Sequence, residues 1–532
     1  MLNTGRLSPL SHDSCGYTTP ARPREAQGRA LVTEPRRPNV VVILPDQLRP
    51  DFLGCYGGAA VATPHIDALA AAGVRFDSAV SASPVCVPAR TALLTGMNAI
   101  RTGVLHNLHA LRPDHRELGV LTWSERLADA GYNTAAVGKM HLYPWDLTLG
   151  FGYRSIAEDK RWIEIRDAYY WFLRDHGLAK THAREHPDYI SGLGAYTNPI
   201  PWELSVDHFV GSSARKFLRR ARGDERPFAL FIGFPGPHDP YDPDQAFLES
   251  VVTSKLPVPI KSSNDLAPLI KARNIEGNKL PWCGIDYSNL SLDGAQRLRL
   301  HYAALVAQID FEVGEIVTEL RNDQKVWDNT VIIFTSDHGD YLGDHGMVGK
   351  ESFFETAIRI PLIMKPAVDT PGSINDHQVE LSDVAASILA LASLEGNARM
   401  DALPLPGITA GSAVRGAVIG ALHDGWMVRT RQWKLHKYAT GEMLLFDLEA
   451  DPDETRDLFN AARHRRTRDE LDALLTQEVM RSIENAMEDR LVAGTDDLWN
   501  SVIFGHQGWT RRYPYSPPAR WKKEPIVPSA TP

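Results

Sequence analysis

Residues 39–47 read NVVVILPDQ, and this stretch decides the fold. Its first part, residues 39–44, is a short apolar and β-branched run, which predicts a strand buried in a parallel sheet. Asp46 and Gln47 follow directly. We therefore expect polar side chains just beyond the carboxyl end of a buried strand.

The same pattern recurs along the chain. Apolar runs at 134–137, 228–234 and 330–335 predict further buried strands, and residues 298–320 carry one apolar stripe at helical spacing. Strands that alternate with helices indicate an α/β fold with a mostly parallel central sheet covered by helices.

Polar groups follow three of these strands. Asp46, His238 and the pair Asp337-His338 each stand where a predicted strand ends. Ligands of such sheets bind beyond the carboxyl ends of the strands, so we expect these side chains to share one site.

The composition argues against several kinds of partner and site. The 532 residues are 43% hydrophobic and 23% charged with a net charge of -9, an ordinary globular balance. We expect neither a nucleic-acid nor a membrane partner, because the chain has no dense basic run and no apolar stretch near the roughly 18 residues of a membrane span. Four cysteines without a CxxC pair indicate neither a disulfide framework nor a zinc site.

Changes in amino-acid composition along the chain predict four segments. Residues 1–37 lack the apolar run of a secretory signal, which predicts a disordered leader and a cytoplasmic protein. A catalytic domain is expected over 38–404 and an α+β subdomain with a small antiparallel sheet over 405–499. The tail at 500–532, rich in proline and aromatic residues, is expected to pack on the body or to reach a neighbouring subunit of a homo-oligomer.

Residues 155–225 resemble an insertion into the catalytic domain and are rich in tryptophan and tyrosine. These aromatic side chains have two interpretations. They either fill the interior, or form a wall that contacts the organic part of a substrate and shapes its site.

The ends of two predicted strands carry oxygen donors, from Asp46, Gln47 and Asp337. Such donors suit a hard cation such as Ca²⁺, Mg²⁺ or Mn²⁺, and His338 would shift the preference slightly toward Mn²⁺. The alternative is that these aspartates are turn residues or helix caps, which commonly follow strands.

Cys86 stands between Pro84 and Pro88, just before a predicted helix. Pro88 suits the first position of that helix, whose N-terminal N–H groups attract anions. Arg90 would then hold a tetrahedral oxyanion or stabilise a nucleophile. The alternative is that Cys86 is a small buried hydrophobe.

Residues 86–96 read CVPARTALLTG, which resembles the sulfatase signature C-x-P-x-R-x-x-x-L-T-G. Other segments resemble that family in the same order, at 38–47, 63–70, 138–141, 237–241, 336–340, 349–350 and 446–454. The resemblance runs from about residue 38 to 460. It implies an alkaline-phosphatase-like α/β fold.

The resemblance also implies a cofactor and a modification. Cys86 would be oxidised after synthesis to formylglycine by a maturation enzyme. One divalent cation is implied, with Ca²⁺ favoured and Mg²⁺ or Mn²⁺ as alternatives. Its implied ligands are Asp46, Gln47, Cys86, Asp337 and His338. The hydrated formylglycine would attack the sulfur of a small sulfate ester.

The implied catalytic residues are Cys86, Arg90, Lys139, His141, His238 and Lys350. Within this set the cations and His238 would bind the sulfonyl oxygens. Lys350 or His238 would protonate the departing alkoxide, and His141 would take the proton whose loss expels sulfate. Without the motifs, the lysines are interpreted as surface cations and the histidines as core residues.

Three flanking features receive lesser roles. Asp51 is expected to be a local cap, Asn107 to face the pocket, and Asp344-His345 to belong to a structural loop.

Two positions depart from the common family pattern. Gln47 stands where many members carry a second aspartate, and His338 where many carry asparagine. Both resemble the branch of choline-type sulfatases and phosphonate monoester hydrolases. We therefore predict a sulfuric ester hydrolase, with phosphonate monoester or phosphodiester hydrolysis as the alternative. A non-catalytic anion-binding relative would need a broken nucleophile or metal set, whereas every residue of these sets is present.

Overall fold

The computed structural model describes residues 37–488 except 117, 264, 397–398 and 409–412. The predicted leader, apart from Arg37, lies outside the described residues. The predicted tail and the last part of the predicted C-terminal subdomain also lie outside them.

Two sheets form the framework of the described chain. Their strands are β1 (Asn39–Asp46), β2 (Val74–Val80), β3 (Asn133–Gly138), β4 (Tyr153–Ile156), β5 (Phe228–Pro237), β6 (Thr330–Thr335), β7 (Leu362–Lys365), β8 (Ser373–Glu380), β9 (Val418–Leu422), β10 (Gly425–Arg429), β11 (Trp433–Tyr438) and β12 (Met443–Asp447). The larger sheet has eight strands in the order β4-β3-β5-β1-β6-β7-β2-β8. Among these, β7 runs antiparallel to both neighbours and the other pairs are parallel. The predicted mostly parallel α/β fold is confirmed.

Strand β1 lies inside the sheet, between β5 and β6. Val41 and Ile43 pack into the core on one face, whereas Val40, Val42 and Leu44 pack into the core on the other. Because successive side chains of a strand point to opposite faces, a strand covered on both sides must be apolar at every position. This burial explains the uninterrupted apolar run at residues 39–44.

Helices cover both faces of the larger sheet. Their bounds are α1 (Pro64–Ala71), α2 (Cys86–Thr95), α3 (Ala99–Thr102), α4 (Trp123–Asp129), α5 (Ala168–Asp175), α6 (Val206–Ala221), α7 (Gln245–Glu249), α8 (Pro268–Asn278), α9 (Leu292–Arg321), α10 (Gln324–Trp327), α11 (Glu355–Ile358), α12 (Asp383–Leu391) and α13 (Arg465–Glu488). Side chains of α1, α6 and α9 enter one core, and those of α2, α4 and α12 enter the other. The predicted apolar stripe of α9 is buried along its length.

The segment predicted as an insertion, 155–225, contributes side chains to the core. Its helix α6 packs against β3, β5 and α9, and buries Phe209 and Phe217. Three of its tyrosines, Tyr169, Tyr189 and Tyr196, are also buried, as the interior interpretation requires. Two of its tryptophans, Trp162 and Trp171, are exposed. The predicted domain boundaries stay predictions.

The smaller sheet is antiparallel, in the order β12-β11-β10-β9. One face packs on α13 through Leu471 and Leu475, while residues such as Met427 and Phe446 pack against Phe354 of the main body. Only two residues join β9 to β10. Within the described ranges, no helix combines the length and apolar character needed to cross a bilayer.

Candidate active site

The predicted site residues meet at one edge of the larger sheet. Strands β4, β3, β5, β1 and β6 are neighbours and parallel, so their carboxyl ends lie side by side. The side chains at or just beyond these ends are Asp159 and Arg161 after β4, Lys139 and His141 after β3, His238 after β5, Asp46 on β1, and Asp337 and His338 after β6. The convergence expected from the sequence is therefore present.

Four side chains form a cluster that could hold a metal ion. The ligand atoms of Asp46, Cys86, Asp337 and His338 all lie within 4.8 Å of one another, and the residues are buried. The Cys86 Sγ is 3.2 Å from the His338 Nε2 and 3.8 Å from the Asp46 Oδ1. Two carboxylates with an imidazole are a donor set that fits a divalent cation.

The orientation of His338 supports this fit. Its Nδ1 lies 3.0 Å from the carbonyl oxygen of Gly339. An Nδ1–H that donates to this carbonyl leaves the lone pair of Nε2 directed at the cluster, as in metal-binding histidines. Burial lowers the pKa of His338, which also favours the neutral ring.

Gln47 lies beside the cluster but its carboxamide has other partners. Its oxygen accepts a 2.6 Å hydrogen bond from the Lys350 Nζ, and its nitrogen donates to the Asp340 carboxylate. Its backbone has a φ of 68° and its N–H donates to the Asp337 Oδ1 at 2.9 Å. Gln47 therefore joins the two strand ends, and its role as a metal ligand stays a prediction.

Helix α2 positions Cys86. It begins at Cys86 itself, two residues before the start that Pro88 predicted, because Cys86 and Val87 already have helical conformation. Asn107 contacts the start of this helix, since its Oδ1 accepts a 3.0 Å hydrogen bond from the Val87 N–H; that Asn107 faces the pocket stays a prediction. Asn107 thereby satisfies one of the unpaired donors at the start of the helix.

Arg90 is buried and joins Asp46 and Asp337, the two aspartates of the candidate metal cluster. Its Nε donates to Asp337 and its Nη2 to Asp46, both at 2.9 Å, while its Nη1 donates to the carbonyl oxygen of Lys139 at 2.7 Å. Burial alone would lower the pKa of Arg90, but Asp337 and Asp46 outweigh it and raise this pKa. The guanidinium is thus a permanent counterion of the cluster.

Lys139 is buried, so it is not a surface cation. Its Nζ lies 2.8 Å from the Asp46 Oδ2 and 2.7 Å from the Asp159 Oδ2. Burial would raise the pKa of Asp46, but the cations Lys139 and Arg90 hold it well below its usual range. The Asp46 carboxylate is therefore ionised and ready to bind a cation.

His141 is buried next to Cys86. Burial lowers its pKa, although an interaction with the Cys86 side chain acts in the opposite sense. Its backbone N–H donates to both oxygens of Glu158 at 3.1 Å, which holds the turn after β3. Its Nδ1 is buried without a hydrogen-bond partner among the described residues. This ring nitrogen is available to a bound ligand.

His238 and Lys350 form a direct pair. The Lys350 Nζ lies 2.6 Å from the His238 Nε2, and the His238 Nδ1 lies 2.7 Å from the carbonyl oxygen of Asp239. An Nδ1–H donated to this carbonyl leaves Nε2 to accept from Lys350. Burial and the cations Lys350 and Arg161 hold the pKa of His238 well below its usual range. His238 is therefore neutral beside two cations.

Sequence reasoning missed Arg161 and Asp159. The Arg161 guanidinium donates to both oxygens of Asp159 at 2.8 and 2.9 Å, and its Nη2 lies 3.3 Å from the His238 Nε2. The run of charged residues at 158–161 directly after β4 was a usable signal. The strand itself was not predicted from the sequence, so the run lacked a position in the sheet.

The remaining flanking residues are structural. Asp51 pairs with Arg49 at 2.8 Å, and Asp344 accepts hydrogen bonds from Arg49, from Arg299 and from the Ile260 N–H. The Asp344-His345 segment therefore anchors a loop, as predicted.

A solved structure of another protein shares this architecture. The phosphonate monoester hydrolase of Agrobacterium radiobacter superposes with a TM-score of 0.71, covering 84% of this chain and 96% of its own at 23% identity. The fold is thus alkaline-phosphatase-like.

The family follows from the sequence comparisons. The sulfatase profile matches residues 38–394, and a second profile, described as N-sulphoglucosamine sulphohydrolase, C-terminal, matches residues 343–481. The chain belongs to the sulfatase family. An arylsulfatase of Clostridium perfringens is 28% identical, over 83% of this chain and 94% of the relative. A choline-sulfatase of Rhizobium meliloti is 27% identical, over 79% of this chain and 82% of the relative.

Proposed function

We propose that this protein is a sulfuric ester hydrolase that cleaves a sulfate monoester to an alcohol and sulfate. The observation that carries the proposal is the position of Cys86. Its Sγ lies in the buried cluster with Asp46, Asp337 and His338, at the residue where the family signature places formylglycine. The thiol then marks where the hydrated aldehyde would present its attacking hydroxyl.

The cofactor is part of the same proposal. Asp46, Asp337, His338 and the modified Cys86 would hold one divalent cation, with Gln47 beside them. Ca²⁺ is favoured because hard oxygen donors predominate, and Mg²⁺ or Mn²⁺ are the alternatives. When bound, the cation would acidify the nucleophile and polarise a sulfonyl oxygen.

Arg90 receives a different role from the one that the resemblance implied. Since its three donor nitrogens serve Asp46, Asp337 and the Lys139 carbonyl, we infer that it positions the metal-site carboxylates. The sulfonyl oxygens would then be bound by Lys139, Lys350 and His238, and Arg161 joins this group.

The contacts of Lys350 and His141 support one role in proton transfer for each. Lys350 is the proton donor to the departing alkoxide, because its ammonium is held at the site by His238 and by Gln47 at 2.6 Å each. His141 is the base that takes the proton from the nucleophile before sulfate leaves, because its buried Nδ1 has no partner within the described chain.

A second candidate function is the hydrolysis of phosphonate monoesters or phosphodiesters by the same nucleophile. These esters carry one negative charge, as a sulfate monoester does. The specific observation is that Gln47 follows Asp46 and His338 follows Asp337. The branch that contains phosphonate monoester hydrolases resembles this chain at both positions. Cytoplasmic location, a maturation enzyme as partner, the absence of nucleic-acid and membrane partners, and a homo-oligomer stay predictions.

The first experiment compares kcat/KM for p-nitrophenyl sulfate and p-nitrophenyl phenylphosphonate, with conversion of Cys86 verified by peptide mass. A preference for sulfate of about a hundredfold, equivalent to about 3 kcal/mol, supports the sulfatase proposal. A similar preference for the phosphonate replaces it by the second candidate.

A matched pair of variants tests the nucleophile. Cys86→Ala should abolish turnover of both esters. Cys55→Ala, which removes another free cysteine that lies outside the site, should leave turnover intact. Wild-type rates in the Cys86→Ala protein would refute the mechanism.

A further inference from the structure

Lys350, the proposed proton donor, lies in a loop between β6 and α11 that has no regular secondary structure at residues 348–351. The residues on either side of it, Gly349 and Glu351, have φ values of 83° and 80°. This left-handed region is unfavourable for a residue with a side chain, such as Glu351. Such a conformation persists only where the surrounding structure holds it, so the loop must depend on contacts from outside.

Helix α8 supplies a contact on one side of Lys350. The Asn274 Oδ1 accepts a 3.1 Å hydrogen bond from the Val348 N–H, and the Asn274 Nδ2 donates to the Val348 carbonyl oxygen at 2.9 Å. Asn278, one turn later on α8, donates to the same carbonyl at 3.1 Å. A carboxamide that binds both backbone groups of one residue fixes the position of the backbone as a neighbouring strand does.

The same helix holds the other side of Lys350. The Arg273 guanidinium donates to the carbonyl oxygen of Glu351 at 2.6 Å, and it also pairs with Asp424 in the turn between β9 and β10. Neighbouring residues of α8 thus bind the loop before and after Lys350.

The small antiparallel sheet fixes α8 in turn. Glu442, between β11 and β12, accepts hydrogen bonds from the N–H groups of Leu269 and Ile270 at 2.8 and 3.0 Å. N–H groups in the first turn of a helix have no partner inside the helix, so a carboxylate placed there satisfies them and interacts favourably with the helix dipole. Ile270 is buried in a core that also contains Tyr438 of β11.

The position of the loop matters for the proposed proton transfer. The Lys350 Nζ lies 2.6 Å from both the His238 Nε2 and the Gln47 Oε1. A lysine side chain is long and flexible, so its ammonium stays at this place only while its backbone does. A displacement of about 1 Å can cost about a hundredfold in rate. Asn274 lines the same small cavity as Lys350, but both polar atoms of its carboxamide bind Val348.

We propose that α8 is a clamp that places Lys350 beside the departing oxygen, with Asn274 as a positioning residue and the small sheet as the support of the helix. The proposal rests on the proposed function, because it explains how that reaction keeps its proton donor in place. It also gives the small sheet a part in catalysis although its strands lie outside the site.

The test compares kcat/KM for phenyl sulfate and p-nitrophenyl sulfate. Phenolate is the more basic leaving group, so its departure depends more on a proton donor, and such a donor contributes about 10²–10⁴-fold. Asn274→Ala should therefore lower kcat/KM about tenfold or more for phenyl sulfate, but about threefold or less for p-nitrophenyl sulfate. A general loss of folded protein would lower both values equally.

Two further variants separate the clamp from other effects. Glu276→Ala is the matched control on α8, because Glu276 is exposed and pairs with Lys279 of the same region; both rates should stay at the wild-type level. Glu442→Ala removes the support at the start of α8 and should change the two rates with the same bias as Asn274→Ala.

A second measurement does not require turnover. Hydrogen exchange of the amides at 348–351, followed by mass spectrometry of the full-length protein, should become about tenfold faster in Asn274→Ala and stay unchanged in Glu276→Ala. Equal losses on the two esters, or unchanged exchange in Asn274→Ala, would overturn the clamp. If the wild-type protein hydrolyses neither ester, the proposed function fails, and the exchange result alone decides whether α8 holds the Lys350 loop.

Discussion

Arg90→Ala is the perturbation that most directly tests how the metal site is built. Arg90 is 1% exposed and donates to Asp46, to Asp337 and to the Lys139 carbonyl. Lys139 still neutralises Asp46 in the variant, but Asp337 loses its cationic partner. Breaking a buried ion pair by removing one partner costs about 3–5 kcal/mol, so we expect the free energy of unfolding to fall by about 4 kcal/mol.

The assay is urea unfolding followed by tryptophan fluorescence, in EDTA and in saturating Ca²⁺. In EDTA the full loss should appear. In Ca²⁺ the loss should shrink, because Arg90 no longer opposes a cation between Asp46 and Asp337. Wild type also binds the ion, so only a lower Kd of the variant counts, and a tenfold lower Kd would restore about 1.4 kcal/mol.

The control is Arg112→Ala, which removes an exposed partner of Asp114 and should cost under about 1 kcal/mol. The reasoning would be refuted if Arg90→Ala lowered the free energy of unfolding in EDTA by less than about 1 kcal/mol, a loss no larger than that of the control.

Three further perturbations follow from the structure. His338→Ala removes the imidazole of the metal cluster and should weaken divalent-cation binding at least tenfold by calorimetry; unchanged affinity would exclude it as a ligand. Burial raises the pKa of Asp207 to about 6, so the folded state binds a proton that the unfolded state releases near pH 4, and stability should fall as the pH rises from about 4 to about 6. Asp207→Asn should flatten this part of the urea-stability profile, by up to about 3 kcal/mol, and a profile with the wild-type slope would contradict the assignment. Gly138→Ala should destabilise by about 3 kcal/mol or more in the same assay, since Gly138 has a φ of 81° and an added Cβ would overlap the Gly233 carbonyl oxygen. Gly131→Ala, with a φ of 89° but open space around it, should cost only about 1 kcal/mol; equal losses would show that backbone strain, not the close approach of β3 to β5, is responsible.

The fold was largely predictable because its signal is local. The run at 39–44 is apolar at every position only because both faces of β1 are buried, and the same holds for β6. Strand β4 was missed because it is short and mostly half-buried, so its side chains show no such run. Its absence from the predicted sheet left Asp159 and Arg161 without a place at the site.

The candidate site was predictable as a set of residues but not as a network. The signature at 86–96 and the strand ends identified Cys86, Lys139, His238 and their neighbours. No spacing in the chain indicates that Arg90 serves the two aspartates, or that Lys350 donates to His238. Hydrogen-bond partners across the site are separated by long stretches of chain, and their pairing depends on how the strands are ordered.

The sequence by itself determined the α/β class and the family, and it predicted the nucleophile and the residues around it, because burial and family motifs leave their mark within a few consecutive residues. The tertiary structure decided which cations bind carboxylates and which face a ligand, and it placed Asn274 against the loop of Lys350. The physical reason is that a charge or an amide acts on whatever lies within a few ångströms of it in space, and in this fold those neighbours come from strand ends and loops far apart in the chain.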